Sequence, residues 1–229
     1  MARWIPGEKK EVHIIYYYPN RPKLIPADSL NPMNPSSAVL DALEASGKYV
    51  AEQKWNGDNC YVYKDGAGKI ELWNRHKARL QRTLSEGMRE ELKALKNNSI
   101  LNAEYIGGKT INVKGLLIAH CIMMWDGSIL LGKTWGDSRS ILTSNFQSGE
   151  HLVVSALFRE GFWKLFQTRK GLIHAVNGEL LRTVEDKDSV LIEGVVLKDP
   201  TGKLVFSTKP VADVPFMLKI RHPSGRHNF

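Results

Sequence analysis

The chain has 229 residues, enough to bury one large core or two small ones. With 42% apolar and 24% charged residues it has the balance of a folded globular protein, which excludes a disordered chain. Its 32 Lys and Arg against 24 Asp and Glu give a net charge of +8, which favours polyanionic partners: nucleic acid, nucleotides or an acidic membrane surface.

Cys60 and Cys121 lie in apolar runs without paired spacing, so they read as buried free thiols of a reducing compartment. No apolar stretch approaches the roughly 18 residues a membrane helix needs. The start, Met-Ala-Arg-Trp-Ile-Pro-Gly-Glu-Lys-Lys, lacks the apolar core of a secretory signal. A cytoplasmic, monomeric protein with no membrane partner is expected.

In chain order, Val12–Tyr18 is a β-branched and aromatic run that reads as a strand, and Pro19–Pro35, rich in proline and asparagine, as irregular. Val39–Ala45 has helical spacing and stops at Gly47. Tyr49–Lys54, Asn59–Lys64 and Lys69–Trp73 are predicted strands, the last two joined by an Asp65-Gly66 turn. Thr83 and Glu86 fit a capping box, after which Leu84, Met88, Leu92 and Leu95 space as one helical face. Strands resume at Ile100–Ile106 and Gly115–Met124, followed by an Asp126-Gly127 turn. Val154–Phe166 is expected to hold a helix, its apolar residues clustering at helical intervals. Val190–Leu197, Leu204–Ser207 and Phe216–Ile220 read as strands, the first two joined through Asp199-Pro200-Thr201-Gly202. No repeat or flexible linker divides these elements. The expectation is an α+β fold of mostly antiparallel sheets flanked by helices, one domain over residues 1–229.

Lys54-Trp55-Asn56-Gly57 joins two predicted strands, and four further elements follow it in order. Asn74-Arg75 ends the next hairpin. Glu104 lies within a strand. Glu193-Gly194-Val195-Val196-Leu197-Lys198 places a carboxylate at a strand's start. Lys219 and Arg221, two apart, project from one face of a strand. Any one of these alone fits a solvated residue; the ordered set is specific.

The five motifs resemble those of the covalent nucleotidyltransferase superfamily: ATP-dependent DNA ligases, RNA ligases and messenger RNA capping enzymes, the small phage-type ligases among them. The match runs from Glu52 to Arg221. It implies the nucleotidyltransferase, ATP-grasp-like adenylation fold, with ATP and Mg²⁺ as cofactors. Lys54 would be the nucleophile that takes the nucleoside monophosphate, with Lys219 and Arg221 at the α-phosphate. Glu193 would hold Mg²⁺, with Glu104 a second metal candidate. Glu104 and Arg75 would contact ribose and phosphate, joined by Asn59, and Lys198 completes the nucleotide set. Glu52 corresponds to an acidic residue on the adenine-recognising side. His120 stands where the family stacks an aromatic on the purine; as an imidazole it either stacks or is a hydrogen-bonded core histidine. The chemistry fits: only about one lysine amine in a thousand is unprotonated at neutral pH, and neighbouring cations raise that fraction.

The sequence also departs from the family. His120 and Cys121 replace an aromatic and an aspartate, although Asp126-Gly127 and Arg139 follow as in DNA ligases. Asn59 stands where DNA ligases carry arginine and RNA ligases often carry asparagine. Only residues 222–229 follow Arg221, leaving no room for the OB-fold barrel that ligases usually append. The expected activity is ATP-dependent ligation of nicked duplex DNA, in DNA repair or replication. RNA ends are the alternative, guanylyl transfer a third. A non-catalytic nucleic-acid-binding relic is disfavoured, because all five motif positions hold competent residues.

Overall fold

The computed structural model describes residues 21–24, 37–75, 78–205 and 213–222. The expected strand Val12–Tyr18 and most of Pro19–Pro35 lie outside them. Within that second segment Arg21–Leu24 (β1) is a strand, running parallel to Asp213–Arg221 (β12).

Two mostly antiparallel sheets carry the fold. The first has the order β1, β12, Ile192–Lys198 (β11), Val50–Trp55 (β2). Its strands alternate with period 2. Ala51, Val195, Leu197, Leu218 and Ile220 turn one way and pack with Leu40 of Ser37–Ala45 (α1) and Phe162, Leu165 and Phe166 of Phe162–Gln167 (α4). Leu40 and Phe162 are fully buried, so truncating Phe162 to alanine should cost about 3–5 kcal/mol. The α1 residue Glu44 caps α4 across this layer, accepting from the backbone N–H groups of Gly161 (2.9 Å) and Phe162 (2.8 Å).

The second sheet runs Ile70–Asn74 (β4), Asp58–Lys64 (β3), Ser99–Ile106 (β5), Leu116–Trp125 (β6), Ser128–Ile129 (β7), with Leu152–Val154 (β8) parallel to β6. Leu84, Met88, Leu92 and Leu95 are all buried, as their spacing predicts. The helix they flank, Glu86–Glu91 (α2), is shorter than expected and is capped by Ser85, whose side chain accepts from Met88 N, rather than by Thr83. The Asp126-Gly127 turn forms, both residues at positive φ.

Four segments differ from expectation. Val154–Phe166 is not one helix: β8 ends at Val154, and α4 begins only after Gly161, which sits at φ 73°. Leu204 and Val205 form no strand; Lys203 makes an isolated bridge to Thr134. Trp135–Asn145 (α3) and the hairpin of Gly171–His174 (β9) and Leu180–Val184 (β10) were not anticipated. Gln53 ties that hairpin to β2, donating to Lys170 O at 2.9 Å and accepting from Leu172 N at 2.7 Å.

Candidate active site

The face of the first sheet opposite its apolar layer is polar. Register pairs Lys54 with Gly194, Glu52 with Val196, Lys219 with Val196, and Arg221 with Gly194. Residues directly opposite in an antiparallel ladder share a face, so Glu52, Lys54, Lys219 and Arg221 stand together. Glu193 joins them through a register shift between Ile192 and Gly194. Gly194, at φ 142°, is required there: a Cβ would lie 2.1 Å from Ile220 O.

Lys54 sits where the chain passes from one sheet to the other. β2 belongs to the first and β3 to the second, so Asn56-Gly57 is the crossing. Asn56 anchors it, with its backbone N–H to Leu191 O at 2.9 Å and its side-chain amide to Val190 O at 2.7 Å. Gly57 lets the crossing lie against β5: a Cβ would meet Tyr105 O at 2.5 Å and Glu104 Cγ at 2.7 Å. Its N–H donates to Glu104 Oε1 at 3.1 Å.

At this end of the sheet face the Lys54 ammonium is ion-paired with Glu193, and Arg221 approaches the same carboxylate at 3.6 Å. Burial pushes the Lys54 pKa below its ordinary value; Glu193 pulls it back and Arg221 lowers it further. Burial would raise the Glu193 pKa, but Lys54 and Arg221 outweigh it and hold the carboxylate ionised. Glu104 goes the other way, raised by burial against the pull of His120, Lys54 and Lys109.

At the other end Glu52, 1% exposed, accepts from Lys198 Nζ at 2.7 Å and lies 2.9 Å from His120 Nδ1, joining the two sheets. Burial alone would raise its pKa; Lys198 and His120 overcome that and hold it well below the usual carboxylate range. The second oxygen, Oε1, is buried without a hydrogen-bond partner. Lys198 also lies over the Trp135 ring, 4.8 Å from its centroid. The β5–β6 ladder shifts between Asn102 and Ala103, passing over His120, as at a β-bulge. Arg139 of α3 holds the bulge, donating to His120 O (3.1 Å) and Ser155 Oγ (3.0 Å).

The structure thus brings together Glu52, His120 and Lys198 at one end and Lys54, Glu193, Arg221 and Glu104 at the other. Lys219 stands on the same sheet face, 9% exposed. His120 is hydrogen-bonded to Glu52 and only partly buried, and Lys198 pairs with Glu52. Asn59 lies opposite Glu104 in the ladder and bonds locally to Ala103 O (3.3 Å) and Asn102 (3.4 Å). Arg75 is exposed just after β4, where Asn74 N and Ala78 O close a loop at 2.8 Å. Among the described residues no three His, Cys, Asp or Glu side chains gather into a metal cage. Burial raises the pKa of Cys60 and Cys121, leaving both as inert buried thiols. Motif reading missed Lys109, which donates to Gly57 O from the β5–β6 loop; only its place five residues after Glu104 hinted at it.

No protein-family model matches the chain, and no curated protein does. Among solved structures it is similar to a mycobacterial DNA ligase D complexed with ATP and MES, at 15% identity and a TM-score of 0.54. That match covers 92% of this chain and 62% of the ligase, so the chain spans under two thirds of that protein's length. The ligase domain of LigD from M. tuberculosis matches at 17% identity over 76% of this chain and 53% of that one, TM-score 0.49. At such identity the likeness to DNA ligase D is one of fold, and it agrees with the resemblance drawn from the motifs. No helix among the described residues is long and apolar enough to cross a membrane.

Proposed function

We propose that the chain is an ATP-dependent polynucleotide ligase whose adenylation domain forms a covalent lysyl-AMP at Lys54. The observation that carries this is Lys54 at the crossing between the two sheets, ion-paired with Glu193, its pKa lowered by burial and Arg221, with Lys219 on the same sheet face. In the first step Lys54 Nζ bonds to the α-phosphorus of ATP and pyrophosphate leaves. AMP then passes to a 5′-phosphate, and a 3′-hydroxyl attacks that phosphate and releases AMP. Lys219 and Arg221 offset the charge that builds on the α-phosphate.

Glu193 and Glu104 would hold Mg²⁺. Two carboxylates beside the nucleophile, completed by substrate phosphates and water, are a donor set that fits this ion. When bound, it would neutralise triphosphate charge. Glu104, Asn59 and Arg75 would contact ribose and phosphate, and His120 the purine. The unpartnered Glu52 Oε1 is an acceptor in a dry site. It suits the 6-amino group of adenine and would leave a guanine carbonyl facing a carboxylate, which supports ATP over GTP.

Nicked duplex DNA is the proposed substrate. RNA ends are the second reading, favoured by Asn59 at the position of the DNA-ligase arginine. Mass spectrometry of the intact protein after incubation with ATP or GTP tests the class: a stable AMP adduct is expected with ATP alone. No adduct with either nucleotide would rule the assignment out. Sealing assays on matched DNA and RNA nicks then separate the two substrates.

A further inference from the structure

The loop between β5 and β6, residues 107–115, is exposed over much of its length yet fixed from several sides. Asp186 accepts from the backbone N–H groups of Ile111 at 2.7 Å and Asn112 at 3.2 Å. The Asn112 amide also donates to Asp188 at 2.8 Å. Lys114 Nζ donates to Gly107 O at 2.9 Å and to Thr110 O, and the Thr110 hydroxyl donates to Val113 O. A surface loop held this firmly can position a side chain as a strand would.

Lys109 is the side chain it positions. The ammonium donates to Gly57 O, three residues after Lys54, and lies 3.7 Å from Asp58. Arg82 reaches the same carboxylate at 3.5 Å and lies over the Tyr105 ring, 5.9 Å from its centroid. The three are closely packed: a Cβ on Gly108 would lie 2.7 Å from Asp58 and 2.8 Å from Arg82. Two cations share one carboxylate, so the trio keeps a net positive charge. Both are accessible, with the Lys109 side chain 51% exposed and that of Arg82 41%. Lys109 is also close enough to Glu104 and Glu193 to favour their ionised forms.

We propose that Lys109, with Arg82 beside it, seats the terminal 5′-phosphate of the polynucleotide that accepts AMP. This seat presupposes the ligase activity proposed above. The α-phosphate's counter-charges, Lys219 and Arg221, stand on β12 in the first sheet. Lys109 comes from the second sheet at the exposed rim, where a polynucleotide end can reach it. In the step it serves, a 5′-phosphate oxygen attacks the phosphorus of lysyl-AMP. The P–N bond breaks, a P–O–P bond forms, and Lys54 Nζ takes one proton from water as it leaves as the amine. Two anions must meet for this to happen. A charge-assisted hydrogen bond from Lys109 offsets their repulsion and fixes the attacking oxygen.

The test is binding of nicked duplexes that differ only in a 5′-phosphate or a 5′-hydroxyl, with single-turnover discharge of lysyl-AMP as a second readout. Wild-type protein should prefer the phosphorylated end. K109Q should lose about tenfold of that preference and discharge more slowly, K109R should restore both, and the distant surface variant K93Q should match wild type. Full preference in K109Q, or none in wild type, overturns the proposal. A wild-type chain that forms no lysyl-AMP removes the ligase assignment instead. End preference is read by binding alone, so the two failures are distinguishable.

Discussion

The two ends of the polar sheet face handle charge in opposite ways. At the closed end Glu52 and Lys198 are 1% and 6% exposed, their ion pair is complete, and His120 and Trp135 cover it. At the open end Lys54 and Glu193 are 15% and 26% exposed, and Arg221, at 52%, competes for the same carboxylate. A fully buried pair cannot exchange partners without leaving a charge unsolvated, whereas a partly exposed one with a second cation beside it can. The closed end should therefore behave as structure that reads a base, and the open end as chemistry that can let go of its lysine.

Substitution at Lys54, the proposed nucleophile, gives the largest expected effect on function and a small one on folding. Lys54→Ala should abolish the covalent nucleotide adduct while leaving the urea midpoint close to wild type, since Glu193 keeps Arg221 nearby. Adduct persisting on the variant at another lysine would move the chemistry away from this end. Glu52→Ala should instead cost stability first. It strands the Lys198 ammonium in a dry site, at a cost of about 3–5 kcal/mol in stability. A loss under about 1 kcal/mol in urea unfolding would mean that water already reaches the closed end, and the contrast would fail.

Glu193→Ala comes next. Removing its partly exposed carboxylate should cost less stability than removing that of Glu52, but should raise the adenylation barrier by about 2–4 kcal/mol at saturating Mg²⁺. Wild-type rates in the variant would make Glu193 a strand residue that merely parks Lys54.

Much of this contrast is legible in the sequence, because period-2 alternation is local. Glu52 and Lys54 share a face by parity, as do Lys219 and Arg221, and the strands carrying them form where expected. What stays hidden depends on pairing between distant segments. Nothing local says that Lys198 would turn to Glu52 or that a ladder shift would lift His120 towards it. Lys109 is a loop lysine until Asp186, some 75 residues later, fixes its loop. Helix α3 was missed because its buried side includes Ser138 and Arg139 between Trp135 and Leu142, which breaks the apolar period. Its Thr134–Asp137 capping box was nonetheless there to see. The Asn177-Gly178 turn likewise announced the β9–β10 hairpin. The helix expected within Val154–Phe166 is there only as its last turn and a half, because β8 ends at Val154 and α4 starts after Gly161, a left-handed residue no apolar count detects.

The smallest expected effect, and the sharpest for the closed end, is a slope in acid. Glu52 has a folded-state pKa held far below its unfolded value by Lys198 and His120, against the opposing push of burial. Such a group binds fewer protons folded than unfolded, so its stabilisation is present above the unfolded carboxylate pKa, roughly 4.3, and is lost as pH falls below it. One carboxylate can contribute at most about 1.4 kcal/mol per pH unit to that decline. Glu52→Gln keeps the shape, removes the titration, and lowers stability at neutral pH. Its stability curve should be flatter than that of wild type below pH 4, the two drawing together as acid is added. Glu193→Gln supplies the comparison: Lys54 and Arg221 also lower the Glu193 pKa, but its 26% exposed side chain is screened by solvent more than that of Glu52, so its curve should flatten less than that of Glu52→Gln. Urea midpoints measured from pH 7 to pH 3 on the three proteins decide it. Parallel curves for Glu52→Gln and wild type would mean that the Glu52 pKa is the same folded and unfolded, and a wild type that gains stability over the variant as pH falls from 7 would mean that Glu52 is protonated in the folded state. The closed end would then hold a neutral acid beside Lys198, and the case for a fixed anion reading the base would fall with it.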